Sequence, residues 1–233
     1  MMPSEMIDSA VDALDFIPEA VIFDMDGTMI ESERALLECW RQAASELALP
    51  LDDDLWLSMV GLHDAACHRL LREHIDEDRA QTLQRVTQSL YNVRVDAGLP
   101  LKSGLIAFLE RLVSVGMPRA VATSTRRPRA LYKLERASLL AYFPLVVGGD
   151  DVRHPKPAPD IYLLAAQRLQ VDPRKCVVLE DSPAGVRSAL AAGMAPIQIP
   201  DLLAPSDDVR ALEHRIVATM DDAHALLSPW LDA

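Results

Sequence analysis

The chain has 233 residues, half of them apolar and a quarter charged, with a net charge of −12. Such a chain supports one large domain or two small ones around a sizeable core, and is not broadly disordered. The acidic balance argues against binding a nucleic-acid backbone, no apolar run approaches the ~20 residues that span a bilayer, and three widely spaced cysteines form no disulfide framework.

Residues 1–17 are acidic, lack a basic start before an apolar run, and do not read as a signal peptide. They form an N-terminal extension, either a short helix or loose. Val21-Ile22-Phe23 is the first short apolar run and predicts a buried strand. Residues 31–100 then read as helical throughout. Leu36, Leu37, Trp40, Ala43, Ala44 and Leu47 make one apolar stripe at helix spacing. Pro50 ends that helix, and Asp52-Asp53-Asp54 starts the next by favouring its N-terminal amides. Trp40 and Trp56 are expected in the core of this segment. Beyond residue 100, helical patterns (Leu105, Phe108, Leu109, Leu112; Ile161, Leu164, Ala165, Leu169) alternate with short apolar runs at Ala120–Ala122, Leu145–Val147 and Cys176–Leu179, and a weaker one at Pro196–Ile199. This alternation predicts an α/β fold with a largely parallel sheet. Its core comprises residues 18–30 and 101–233, and residues 31–100 are an all-helical insertion.

In open α/β sheets, ligands bind beyond the carboxyl ends of the strands. Asp24 and Asp26 follow the first run. Thr123, Ser124 and Thr125 follow the second, with Arg126 and Arg127 next. His154-Pro155-Lys156-Pro157 comes after the third, and Glu180, Asp181 and Ser182 after the fourth. These groups complement one another. A hard cation such as Mg²⁺ takes oxygen ligands, which Asp24 and Asp181 can supply, and shares them with a phosphate. A carboxylate can form an aspartyl-phosphate. A second acid two residues on can protonate the leaving oxygen and then activate water. Gly27 lets the backbone turn between them. Thr123, with Ser124 beside it, offers hydroxyls to the transferring group, and Lys156 neutralises its charge.

In order and spacing, Asp24-Met25-Asp26-Gly27-Thr28, Thr123, Lys156 and Glu180-Asp181 resemble the four motifs of the haloacid dehalogenase-like hydrolases, from about residue 20 to residue 200. The helical insertion resembles the cap of the subgroup that includes β-phosphoglucomutase and many small-molecule phosphatases. The resemblance implies a Rossmann-like core with a mobile cap. It makes Asp24 the nucleophile and a metal ligand, and Asp26 the general acid and base with its backbone carbonyl on the metal. It places Thr123 and Lys156 on the phosphoryl oxygens, and Asp181 on the metal with Glu180 a direct or water-mediated ligand.

Within that family, Asp26 and Thr28 argue against a dehalogenase. Residues 31–100 contain no lysine, which argues against a Schiff-base phosphonatase. The mutase resemblance implies a Lys-Gly pair and a nearby arginine in the cap, where this chain has Val60-Gly61 and Asp64, and a cap histidine where it has Leu36. Loss of those charges favours hydrolysis of a small phosphorylated metabolite such as a sugar phosphate. A phosphomutase is the alternative, and a non-catalytic phosphate-binding member the second. Gly61, His63 and Arg126 are the substrate-specificity candidates, with a solvated helix start the other reading of Arg126. The lesser alternatives are that Lys156 is a surface lysine, and that Glu180 and Asp181 serve only the N-terminus of the helix Pro183–Ala192, a role that can coexist with metal binding. A monomer in a reducing cytoplasm is expected, with no membrane partner.

Overall fold

The computed structural model describes residues 14–60 and 64–231. Six strands form one sheet: β1 (Ala20–Phe23), β2 (Arg119–Ala122), β3 (Val146–Val147), β4 (Cys176–Glu180), β5 (Ala195–Gln198) and β6 (Arg215–Ile216). Their order is β3-β2-β1-β4-β5-β6, and every pairing is parallel. Strand order therefore reverses beside β1, where an α/β sheet opens a crevice for ligands. The α/β class with a Rossmann-like core is the fold of this chain.

Side chains on successive strand residues point to opposite faces. Val21 and Phe23 join Val121, Val177, Leu179 and Ile197 in one buried cluster, while Ala20 and Ile22 join Ala120, Ala122, Cys176 and Val178 in another. Helices α5 (Leu105–Ser114), α6 (Arg127–Arg136) and α10 (Met220–Leu231) cover the first face. Helices α7 (Asp160–Leu169) and α8 (Pro183–Ala191) cover the second. A single-turn α9 (Asp207–Arg210) precedes β6. The apolar pattern gives no sign of β6, because its two residues are only half-buried.

Between β1 and β2 the described residues form the helical cap: α1 (Ser32–Glu46), α2 (Asp53–Ser58), α3 (Asp64–Arg72) and α4 (Glu77–Ala97). The Asp52 carboxylate accepts from the Leu55 amide, so the acidic triplet caps a helix as its sequence suggests. The cap has its own core, in which Trp40 and Trp56 stack at 6.0 Å, with Leu37, Ala43, Leu71 and Leu83 around them. Two linkers join cap to core side by side, with the Glu31 amide donating to Pro100 O at 2.9 Å. Farther along, α4 lies against α6. Arg129 Nη2 donates to Asn92 Oδ1 and Tyr132 OH to Asp96 Oδ1, each at 2.6 Å. Among the described residues, no helix is long and apolar enough to cross a membrane.

Candidate active site

The chain turns sharply where β1 ends. The Asp24 amide still donates to Leu179 O at 2.9 Å, and the amides of Met29 and Ile30 return to Met25 O. Gly27 makes this turn with a φ of 81°. A side chain there would also collide with the site, since an added Cβ would fall 2.2 Å from Asp181 Oδ2. The turn thus brings Asp24 and Thr28 against Asp181. Thr28 Oγ1 lies 3.1 Å from Asp181 Oδ1 and 3.4 Å from Asp24 Oδ2.

Oxygens of Asp24, Glu180 and Asp181 lie within 4.8 Å of one another. One ammonium meets two of them: Lys156 Nζ donates to Asp24 Oδ1 and to Glu180 Oε1, each at 2.6 Å, and to Ala122 O at 3.1 Å. Its side chain is only 5% exposed, so it is not a surface lysine. Tyr162 supports it, with its ring 4.8 Å from Nζ and its hydroxyl donating to Glu180 Oε1 at 2.8 Å. Glu180 Oε2 accepts from the Asp181 and Ser182 amides and from Ser182 Oγ. Gly185, in the first turn of α8, leaves room for this carboxylate, because a Cβ there would fall 1.7 Å from Glu180 Oε1.

The charges are unequally compensated. Burial opposes ionisation of Glu180, yet Lys156, Ser182 and Tyr162 together hold it below the usual carboxylate range. Burial pushes Asp24 up to about 7, with Glu180 and Asp26 adding to the rise and Lys156 resisting it. Asp181 is raised well above the usual range by burial and then by the charges of Glu180 and Asp24. Hard oxygens with too little positive charge around them suit a divalent cation such as Mg²⁺. Glu180 takes five protein donors, against two on Asp24 and one on Asp181, so Asp24 and Asp181 are the more open ligands.

Asp26 has separate surroundings. Lys133 Nζ donates to its Oδ1 and Thr125 Oγ1 to its Oδ2, each at 2.7 Å. Burial opposes its ionisation, but Lys133, Ser32 and Thr125 together hold it below the usual range. Thr123 is buried where β2 ends, and its Oγ1 accepts from the Thr125 amide at 3.1 Å, while Ser124 is exposed beside it. Arg126 turns outward, its side chain 83% exposed and 3.8 Å from Asp150. Gly61 and His63 lie outside the described residues.

Lys133, Thr125, Tyr162 and Gly185 were not anticipated in these roles. Lys133 carried a readable signal, since it keeps helical register with the buried Ala130 and Leu134 on α6. Cap residues Glu33, Leu36, Leu37, Trp40, Trp56, Met59 and Val60 line a small depression with no basic side chain among them. Glu33 lies close enough to Asp181 to help raise it.

Comparison with known proteins agrees with this geometry. Residues 21–199 match the haloacid dehalogenase-like hydrolase family. A phosphorylated-carbohydrates phosphatase of Thermotoga maritima is 36% identical over 180 residues, covering 77% of this chain and 83% of that protein. A fructose-1-phosphate phosphatase of Escherichia coli is 32% identical over 186 residues, covering 77% and 95%. The crystal structure of a haloacid dehalogenase family hydrolase from Deinococcus radiodurans, with bound phosphate and sodium, superposes with a TM-score of 0.78 at 26% identity, covering 93% of this chain and 97% of that one.

Proposed function

The chain belongs to the haloacid dehalogenase-like hydrolases and is a phosphoric monoester hydrolase, and from this premise we propose that it is a Mg²⁺-dependent cytoplasmic phosphatase of phosphorylated carbohydrates. The observation that carries the reading is the cluster of Asp24, Glu180 and Asp181, whose oxygens lie within 4.8 Å of one another with a single buried ammonium, Lys156, paired to the first two. Asp24 and Asp181 would hold the metal, together with the backbone carbonyl of Asp26, and Glu180 would reach it through water. Bound there, Mg²⁺ would lessen the repulsion between an anionic nucleophile and an anionic phosphate.

A carboxylate oxygen of Asp24 attacks phosphorus. The bond from phosphorus to the leaving oxygen breaks as Asp26, ionised in the free site and carrying a proton taken from solvent once substrate is bound, passes that proton to the leaving oxygen, releasing the alcohol and leaving an aspartyl-phosphate on Asp24. Water then attacks phosphorus while Asp26 takes one of its protons. The acyl-phosphate bond breaks, Asp24 is restored, and inorganic phosphate departs. Lys156 and the Thr123 and Ser124 hydroxyls bind the phosphoryl oxygens.

Water as the acceptor is supported by the cap depression, where the described lining residues offer no cation to hold a second phosphate. A carbohydrate substrate is supported by the relatives' substrates. Three buried free cysteines suit a reducing compartment. The test is phosphate release from a panel of hexose, pentose and polyol phosphates and nucleotides. Turnover of sugar phosphates with Mg²⁺, lost in chelator, is expected. No turnover of any member would overturn the proposal, and conversion of β-glucose 1-phosphate to glucose 6-phosphate without free phosphate would replace it with a mutase.

A further inference from the structure

A lysine in helical register with Ala130 and Leu134 is out of place on a buried stripe, where an apolar residue packs without desolvating a charge. Lys133 is nonetheless only 7% exposed. It is not needed to fasten α6 to the cap. Arg129 and Tyr132 already bind Asn92 and Asp96 of α4, and the Arg136 Nε donates to Asp96 O at 2.8 Å. Lys133 is the member of this seam that reaches past it to Asp26 Oδ1. On the way its Nζ lies 5.2 Å from the ring centroid of Tyr91, a residue of the cap helix α4. Thr125 occupies the other Asp26 oxygen. Two donors from two directions therefore fix the plane and the reach of this carboxylate.

We propose that Lys133 is a positioning residue that fixes the Asp26 carboxylate and, through Tyr91, ties it to cap helix α4. The proposal rests on the reading of Asp26 as acid and base. Its consequence depends on the leaving group. A sugar alkoxide departs poorly unless Asp26 delivers a proton to it, whereas p-nitrophenolate is stable without one. Misplacing Asp26 therefore slows phosphate transfer from the sugar, read as kcat/KM, much more than transfer from p-nitrophenyl phosphate, whereas general damage to the fold, or to the later attack of water on the shared aspartyl-phosphate, touches both alike.

The experiment compares Lys133→Met, Lys133→Arg and Tyr91→Leu with the parent enzyme. The substrates are p-nitrophenyl phosphate and the hexose monophosphate it turns over fastest. For Lys133→Met, kcat/KM on the hexose phosphate should fall about tenfold or more, with a much smaller change in kcat/KM on p-nitrophenyl phosphate. Lys133→Arg should restore most of the loss. Tyr91→Leu, which keeps the ion pair and so guards against a misfolded first variant, should show the same selectivity more weakly. Equal losses of kcat/KM on both substrates, or no loss, would overturn the proposal. If the parent enzyme hydrolyses neither substrate, the hydrolase reading fails by itself. A crystal structure of Lys133→Met then decides the positioning role: the Asp26 carboxylate should leave Thr125, and an unmoved carboxylate would refute it.

Discussion

Lys156 Nζ lies 2.6 Å from Asp24 Oδ1, which places a buried ammonium against the carboxylate proposed to attack phosphorus. The same nitrogen holds Glu180. Lys156→Met would leave two buried carboxylates uncompensated. It should cost about 3–5 kcal/mol of stability in urea unfolding without metal, and phosphate release should fall by about a hundredfold or more. A variant that unfolds at the parent's urea midpoint would contradict this account of Lys156.

Asp24→Asn should behave differently. The amide cannot attack phosphorus, so phosphate release should stop. It also removes a charge that burial disfavours, so the fold should survive in chelator with a Tm equal to or above the parent's. Residual turnover of this variant, freshly purified, would remove Asp24 from the nucleophile role.

The response to Mg²⁺ should depend on pH. Asp24 is pushed up to about 7, whereas an unfolded chain releases such a proton near about 4. Between those values the folded protein holds a proton that the unfolded chain has lost. This group's contribution to metal-free stability is therefore present at low pH and declines as pH rises from about 4 to about 7. Asp181, also raised, acts in the same sense, while Asp26 and Glu180, held low, contribute stability that is lost as pH falls. Metal binding needs deprotonated ligands. Differential scanning fluorimetry should show Mg²⁺ raising Tm by several degrees at pH 8 and hardly at all at pH 5. Equal shifts at both would count against Asp24 and Asp181 as ligands.

Gly185→Ala tests the packing beneath Glu180. The added Cβ would fall 1.7 Å from Glu180 Oε1, so the carboxylate or the first turn of α8 must move. A loss of about 1–3 kcal/mol is expected, with weakened Mg²⁺ binding measured by calorimetry. Unchanged stability and binding would show that Glu180 has more freedom than its five donors suggest.

Much of the core was legible because Val21-Ile22-Phe23 and Cys176–Leu179 are short apolar runs that only a strand buried on both faces explains, and the polar residues after them fall at strand ends. Other features were not legible, for physical reasons. β6 gains its pairing from β5 rather than from any apolar pattern of its own. Tyr162 reads as one more core aromatic on α7, and only the packing of α7 against β1 and β2 brings its hydroxyl to Glu180. The sequence leaves open whether Glu180 meets the metal directly or through water. In the fold its oxygens are taken by Lys156, Tyr162, Ser182 and the backbone, which spacing along a chain cannot reveal.

The pairing of β1 with β4 joins Ala20–Phe23 to Cys176–Leu179, and Asp24 makes the next rung with Leu179. The four cap helices, β2 and β3 all lie between those two strands in the chain, so this is a contact of long sequence separation and slow closure. A chain still emerging from the ribosome carries Asp24 early but has neither Glu180 nor Asp181 to set beside it. The carboxylate cluster of Asp24, Glu180 and Asp181 is therefore assembled only once β4 has docked beside β1.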